Sequence, residues 1–283
     1  MEELLKNKGA LKYLQNYSEE LKVIKSILYQ AGQILLNWRQ PLDIQWKGII
    51  NPVTMADKAS ETYIINELLK YFPNDNIISE ESIDSHVKSV NNKRRWYLDP
   101  LDGTVNFSRS IPRWCISIAL VDAKNQLVLG VVYSPYSNEL FSAIKDQGAY
   151  CNDINISVSD VKELNKSVIA SGFPYTFTDP LKTNLAEWST LTPLALTVRC
   201  IGAAALDMCQ VASGKIDIFW EQGLEYWDTA AAILICKEAG ATVSDLKGEV
   251  LDYPSKQVLI ANPNLHSKVI EQFKKIRNGV NIL

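Results

Sequence analysis

Two aspartates, Asp99 and Asp102, stand three residues apart around a proline, and a Gly-Thr pair follows them directly. Because positions i and i+3 of a regular strand face opposite sides, both carboxylates can meet one ligand only if the chain turns between them. Pro100 and Gly103 favour a strand that runs into a turn. Such a turn aims the two carboxylates and the Leu101 carbonyl oxygen into one small volume, which suits Mg²⁺.

A phosphate site is predicted beside this metal site. If a helix begins just after Gly103, its first backbone N–H groups could hold a phosphate. An isolated Asp-x-x-Asp-Gly is more often a surface turn, so the interpretation depends on two further acidic segments. Glu80 and Glu81 end an apolar run upstream, and Asp228 opens a strongly helical stretch downstream. Together the segments indicate phosphoryl chemistry.

Composition narrows the class of protein. The chain has 283 residues, 47% hydrophobic and 22% charged, which are ordinary values for a soluble globular protein. Its net charge of −3 predicts no binding to nucleic acid or to an anionic membrane surface. No apolar stretch approaches the roughly 20 residues that span a bilayer. The acidic start and five cysteines without a Cys-x-x-Cys spacing predict reduced thiols and a cytoplasmic location.

The chain has only two histidines, His86 and His266, and we expect both to be surface residues without partners. This expectation argues against a Ser-His-Asp hydrolase, a histidine-ligated zinc site and a phosphohistidine mechanism. Catalysis would then depend on carboxylates, hydroxyls and bound metal.

The pattern of apolar residues predicts an α/β fold in two tightly packed halves, residues 1–160 and 161–283. In the first half we expect helices within the first 40 residues, one of them capped by Ser18, and a helix over 57–72 with Asp57 as a candidate cap. β-rich segments should follow at 77–78, 96–98, 115–122, 127–134 and 139–145. In the second half strands and helices alternate, with strands at 168–172, 197–200 and 216–219 and helices at about 181–191, 203–213 and 229–239.

Four segments together resemble the inositol monophosphatase family, the lithium-sensitive, metal-dependent sugar-phosphate phosphatases. They are residues 47–57, which end in Val-Thr-x-x-Asp; Ser79-Glu-Glu-Ser82; Asp99-Pro-Leu-Asp-Gly-Thr-Val-Asn-Phe107; and Trp227-Asp-Thr-Ala-Ala with Glu238-Ala-Gly240. The resemblance spans roughly residues 45 to 265. It implies a layered αβαβα sandwich of the sugar-phosphatase type, and a homodimer.

The resemblance also implies roles for individual residues. Glu80, Asp99 and the Leu101 carbonyl would hold one Mg²⁺, and Asp99, Asp102 and Asp228 would hold a second, in a site of two or three ions where Mn²⁺ could substitute. Gly103 and Thr104 would bind phosphate through backbone N–H groups. Thr104 and Asp57, with Glu80, would polarise the attacking water. Two metals about 3.5–4 Å apart suit such an in-line displacement.

The implied substrate is a small sugar or polyol phosphate, with inositol 1-phosphate first. Asp102, the Ala204 backbone and Glu221 would lie beside the sugar ring. Arg199 could serve a second phosphate or a structural ion pair. Because Asn51, Ser79, Val105, Ala232 and Ala241 depart from common family residues, fructose 1,6-bisphosphate, histidinol phosphate and nucleotide bisphosphates stay open as alternatives.

Three other classes of protein fit the sequence less well. A haloacid-dehalogenase-type phosphatase would need its nucleophilic aspartate at position 100, which is a proline. A P-loop enzyme would need Gly-x-x-x-x-Gly-Lys-Ser/Thr, and Gly214-Lys215 lacks both the earlier glycine and the hydroxyl residue. A catalytically silent scaffold is disfavoured because every expected ligand is present.

Overall fold

The computed structural model describes residues 16–38, 44–46, 52–82, 93–174 and 183–277. Seven α-helices lie within these residues. They are α1 (Ser18–Asn37), α2 (Met55–Tyr71), α3 (Thr104–Ser108), α4 (Leu185–Leu191), α5 (Ala204–Ala212), α6 (Tyr226–Glu238) and α7 (Pro263–Arg277). His86 and residues 47–51 of the first family segment lie outside the described residues, as do residues 1–15 at the start of the predicted helical region.

The larger sheet has seven strands, which lie in the sheet in their chain order. Its first two strands pair in parallel and the others pair antiparallel. These strands are β3 (Asn76–Ser79), β4 (Arg95–Asp102), β5 (Cys115–Val121), β6 (Leu127–Ser134), β7 (Glu139–Ile144), β8 (Ala149–Cys151) and β9 (Ile154–Asn155). Its central strands are buried along their whole length because helices cover both faces of the sheet. A separate antiparallel pair joins β1 (Ile44–Trp46) to β2 (Pro52–Thr54).

The smaller sheet has five strands in the order β11-β10-β12-β14-β13. β10 pairs in parallel with both of its neighbours, whereas β14 is antiparallel to β12 and β13. The strands are β10 (Val168–Ser171), β11 (Thr197–Arg199), β12 (Ile218–Gln222), β13 (Thr242–Ser244) and β14 (Gln257–Ala261), and a 3₁₀ turn (Leu164–Lys166) precedes them.

Five layers stack in the order α, β, α, β, α, as the family resemblance implied. Helices α1 and α2 cover the outer face of the larger sheet, α5 and α6 lie between the sheets, and α4 and α7 cover the smaller sheet. Alternate residues of β14 show the layering: Val258 and Ile260 face the middle helices, whereas Leu259 and Ala261 face α7. The fold class predicted from the sequence is confirmed.

The middle helix α6 lies unusually close to β6. A Cβ atom at Gly130 would come within 2.6 Å of the Ala231 carbonyl oxygen, so glycine is required there by the space available. The three alanines at 230–232 are fully buried, and their small side chains allow this approach. None of the described helices is long and apolar enough to cross a membrane.

Several expectations are corrected by the structure. Helix α1 begins at Ser18 itself, so Tyr17 is its N-cap, and Ser18 instead donates its backbone N–H to Asn16 Oδ1 at 3.2 Å. Helix α2 begins at Met55, which places Asp57 within its first turn. The prediction that His266 lacks a partner is wrong, because it is half-buried and its Nε2 lies 2.8 Å from Ser244 Oγ.

Candidate active site

A cavity of about 560 Å³ opens where the larger sheet, the smaller sheet and the middle helices meet. It lies among the end of β4, helix α3, the end of β12 and the first turns of α5 and α6. No lysine or arginine of the described residues lines it, whereas seven acidic residues do: Glu80, Asp99, Asp102, Asp207, Glu221, Glu225 and Asp228.

A bulge in β4 brings Asp99 and Asp102 to the same cavity. Asp99 pairs with Ser117 and Asp102 pairs with Cys115. A separation of three residues in β4 therefore corresponds to a separation of two residues in β5. The extra residue reverses the alternation of side chains, and positions three apart face the same side. The predicted turn between the two aspartates is therefore wrong in form, since β4 continues through Pro100 to Asp102. The predicted convergence of their side chains is present.

The Asp102 carboxylate joins β4 to the N-terminus of α5. The backbone N–H of Ala204 donates to its Oδ1 at 3.2 Å, and that of Ala205 donates to its Oδ2 at 2.8 Å. The thiol of Cys115 lies 3.4 Å from Oδ2. An acceptor from the larger sheet thus satisfies the first N–H groups of a helix in the middle layer. This contact places Ala204 in the cavity wall beside Asp102.

Asp228 lies at the third position of α6, in a capping box with Glu225. The backbone N–H of Glu225 donates to Asp228 Oδ2 at 2.7 Å. Lys256 pairs with the Glu225 carboxylate at 2.8 Å on the outside of the cavity. The start of α6 therefore fixes the position of Asp228 by a bond within its own first turn.

Helix α2 supports the segments that carry Glu80 and Asp99. Ser60 Oγ donates to the Pro100 carbonyl at 3.0 Å, and Glu61 accepts hydrogen bonds from the hydroxyls of Ser79 and Ser82. Asp57, in the first turn of α2, is buried but does not line the cavity. Burial is the main cause of the raised pKa of Asp99, and the negative charge of Asp57 is the smallest of the contributions to it.

Burial and mutual repulsion raise the pKa values of these carboxyl groups. Burial is the largest cause of the raised pKa of Asp99, and the charges of Glu80, Asp102 and Asp228 add to it. The pKa of Asp102 rises to about 6 through burial, although the N–H groups of Ala205 and Ala204 lower it. The pKa of Asp228 is raised by burial and by Glu80. A bound cation would relieve this repulsion.

The oxygen donors that line the cavity suit a hard divalent ion in both their chemistry and their position. Carboxylate and carbonyl oxygens are the ligands that Mg²⁺ prefers, and Glu80, Asp99, Leu101, Asp102 and Asp228 all line the one cavity. In the part of the chain that the structure describes, no three His, Cys, Asp or Glu side chains are already arranged to hold a metal ion. The Asp102 and Asp228 carboxylates accept backbone N–H groups, and their oxygens keep further lone pairs with which they could bind an ion.

Helix α3 begins at Thr104, directly after Gly103, as predicted. Gly103 has φ +88°, and a Cβ atom there would meet the carbonyl oxygens of Arg113 and Gly202 at 3.0 and 3.1 Å. The Thr104 hydroxyl donates to the Leu101 carbonyl oxygen at 3.0 Å. Both residues line the cavity next to Asp102.

Three contributors to the site were missed by the sequence analysis. Asn106 Nδ2 donates to the carbonyl oxygens of Arg113, Ile201 and Gly202, and so ties α3 to the loop before α5. Asp207 lines the cavity and pairs with Arg113 at 2.6 Å. Burial raises the pKa of Asp207 to about 7 against the lowering effect of Arg113. The third contributor is Gly172, which lies against Glu221.

Glu221 lies near the end of β12 and lines the opposite wall of the cavity. Its side chain is only 8% exposed. Burial is the main cause of its raised pKa, to which the charges of Asp228, Asp102 and Asp207 add. Arg199 is exposed and does not line the cavity, so it is not placed to serve a second phosphate there.

The layered fold and this acidic cavity are typical of the sugar-phosphate phosphatases. The sequence profile of the inositol monophosphatase family matches residues 16–278. The inositol monophosphatase of Dictyostelium discoideum is 37% identical over 262 residues, which cover 91% of this chain and 93% of that protein. The chain belongs to the inositol monophosphatase family.

Some relatives carry another name. Nus factor SuhB of Haemophilus influenzae is 38% identical over 228 residues, which cover 78% of this chain and 84% of that protein. Among solved structures, the extragenic suppressor protein suhB from Bartonella henselae superimposes with a TM-score of 0.84 at 34% identity. That match covers 91% of this chain and 99% of the other.

Proposed function

We propose that this chain is a Mg²⁺-dependent phosphomonoesterase that hydrolyses inositol 1-phosphate to inositol and phosphate. The observation that carries the proposal is the convergence of Glu80, Asp99, Asp102, Asp228 and Glu221 on one cavity between the two sheets. Membership of the inositol monophosphatase family supports the reaction class. The cytoplasmic location and the homodimer stay predictions from the sequence.

The carboxylates divide into two overlapping ligand sets in this proposal. Glu80, Asp99 and the Leu101 carbonyl would hold one Mg²⁺, and Asp99, Asp102 and Asp228 would hold another, with Mn²⁺ as a substitute. Bound ions would supply the positive charge that a phosphate and an attacking water need. The Leu101 carbonyl has a second lone pair for a metal because the Thr104 hydroxyl uses only one.

The chain's own residues orient the reacting groups. The backbone N–H groups of Gly103 and Thr104 would bind the phosphate at the start of α3. The Thr104 hydroxyl, Asp57 and Glu80 would accept and direct the protons of the attacking water. Asp57 is buried and does not line the cavity, so it would act on the water through residues of the cavity wall.

The ring of the substrate would lie between Asp102, the Ala204 backbone and Glu221. A buried carboxylate can accept hydrogen bonds from two neighbouring ring hydroxyls. The described lining contains no lysine or arginine, which favours a monophosphate over a bisphosphate such as fructose 1,6-bisphosphate. Among the alternatives, histidinol phosphate is also a monophosphate, whereas the same lining disfavours nucleotide bisphosphates.

A substrate panel tests the proposal. Purified protein with Mg²⁺ is assayed for phosphate release from inositol 1-phosphate, fructose 1,6-bisphosphate, histidinol phosphate and 3′-phosphoadenosine 5′-phosphate. We expect the highest kcat/KM for inositol 1-phosphate, inhibition by Li⁺ and loss of activity with a chelator. A higher value for fructose 1,6-bisphosphate would overturn the substrate assignment. Release from none of them would indicate the silent scaffold.

A further inference from the structure

Gly172 and Glu221 share a space that admits only one side chain. A Cβ atom at position 172 would lie 2.4 Å from both carboxylate oxygens of Glu221 and 2.6 Å from its Cδ. Gly172 has no left-handed φ, so its backbone conformation does not require glycine. Glycine is therefore explained at position 172 by the Glu221 carboxylate, which occupies the space that a side chain would take.

The Glu221 carboxylate has no other support of its own. Among the described residues, none donates a hydrogen bond to it, in contrast to Asp102 and Asp228. Its burial and its like-charged neighbours both disfavour the ionised form. The position of this side chain is thus set by packing, and the Gly172 backbone lies directly against its carboxylate.

Asn184 joins the two segments that carry Gly172 and Glu221. Its Nδ2 donates to the Gly172 carbonyl at 2.9 Å and to the Gln222 carbonyl at 3.3 Å, and its Oδ1 accepts the Gln222 N–H at 3.1 Å. Asn184 is fully buried and adopts φ +60° as the N-cap of α4. One side chain thus bridges the ends of the parallel neighbours β10 and β12 and fixes their spacing.

We propose that Gly172 is a specificity-determining residue and Asn184 a positioning residue, which together hold the Glu221 carboxylate where it can bind the hydroxyls of a polyol ring. The proposal rests on the proposed function, in which Glu221 binds the ring. Gly172 supplies the space beside the carboxylate, and Asn184 keeps that space from widening or closing. Neither residue takes part in the metal and phosphate region of the cavity.

A double-mutant cycle tests this arrangement. Gly172→Ala, Glu221→Ala and the double variant are compared by their KM for inositol 1-phosphate and for 2-glycerophosphate, which has no ring. In the parent protein, G172A should raise KM for inositol 1-phosphate by about tenfold, because a hydrogen bond to a ring hydroxyl is displaced, and change that for 2-glycerophosphate by less than about twofold. In the E221A background, G172A should have no further effect on either substrate.

Asn184→Asp is a second variant. It keeps the acceptor for the Gln222 N–H but loses the donor to the carbonyl oxygens of Gly172 and Gln222. Because it leaves the space beside Glu221 open, the same ring selectivity should fall by a smaller factor than in G172A. If G172A lowers selectivity equally with and without the Glu221 carboxylate, the proposal is overturned. An unchanged selectivity in G172A would overturn it as well.

The solubility of the variants also tests the proposal. If G172A alone is insoluble and the double variant with E221A is soluble, the shared space is supported directly. If both fail to fold, Gly172 is required for a different contact and the proposal fails. Should E221A leave ring selectivity intact, the ring-binding role in the proposed function fails, whereas thermal unfolding of the four proteins still reports whether positions 172 and 221 compete for space.

Discussion

The two walls of the cavity hold their carboxylates by different means. On the metal side, Asp102 and Asp228 accept backbone N–H groups at 2.8 and 2.7 Å, in bonds that also cap helices α5 and α6. On the ring side, Glu221 has no such bond among the described residues and rests against the Gly172 backbone. Hydrogen bonds define positions and orientations more strictly than packing does. We therefore expect the metal side to govern turnover and the ring side to govern substrate choice.

The largest effect should follow Asp99→Asn. This carboxylate would belong to both metal ligand sets, so the variant should lose turnover by about 10³-fold or more. The protein should remain folded, because the Asn Oδ1 can still accept the Leu101 N–H. Steady-state kinetics with Mg²⁺ and a circular dichroism spectrum check both parts. Near-normal activity would remove Asp99 from the metal site.

Thr104→Ala should come next, with a fall in kcat of roughly 10²-fold. The hydroxyl would orient the attacking water, while the metal ligands themselves remain in place. Single-turnover rates at saturating Mg²⁺ separate this effect from metal affinity. If the variant needs more Mg²⁺ but reaches the parent rate, Thr104 only helps to build the site through its bond to Leu101.

Glu221→Gln should mainly change KM. The KM for inositol 1-phosphate should rise by about tenfold, because the amide accepts ring hydroxyls less strongly than a carboxylate does. The KM for 2-glycerophosphate and kcat for both substrates should change by less than about twofold. Equal effects on both substrates would show that the ring side does not select the substrate.

The smallest effect is expected in the pH dependence of stability. With a chelator present, burial places the pKa of Asp102 at about 6 and that of Asp207 at about 7, both above the usual carboxyl values near 4. Between about pH 4 and 7 the folded protein therefore binds more protons than the unfolded chain. The resulting stabilisation is complete below pH 4 and is lost as the pH rises through 6 and 7.

Urea unfolding at several pH values from 5 to 8 measures this loss. Added Mg²⁺ should reduce the part that belongs to Asp102, because a cation favours the ionised carboxylate. Asp207→Asn should remove the part near pH 7 and leave the effect of Mg²⁺ intact. A free energy of unfolding that rises over this range with the chelator would contradict the assignment.

The sequence predicted the layered fold because most of its elements carry clear local patterns. The apolar spacing in residues 18–37 and the continuous apolar runs of β5 and β6 identify buried faces without reference to the rest of the chain. Strands β8, β9, β13 and β14 and helix α7 were not predicted. They are short or amphipathic, and their places depend on partners far away in the sequence.

The residues of the candidate site divide in the same way, into those that belong to local motifs and those that depend on distant contacts. Asp99, Asp102, Gly103, Thr104 and Asp228 belong to local motifs, and the structure places each of them in the cavity wall. Asn106, Asp207 and Gly172 gain their importance from contacts with residues 49 to 96 positions away, which no local pattern reveals. The bulge in β4 was also missed, since it depends on the register against β5.

The bond from Asp102 to the N–H of Ala205 spans 103 positions of the chain. A fragment that ended before residue 161 would contain the whole Asp-Pro-Leu-Asp-Gly-Thr signature and yet lack the helix that orients its second aspartate. Closing a loop of this length carries an entropic cost that the rest of the second half must offset. A nascent chain that lacks this half would carry both aspartates at the end of β4 without the helix N-terminus to which Asp102 binds.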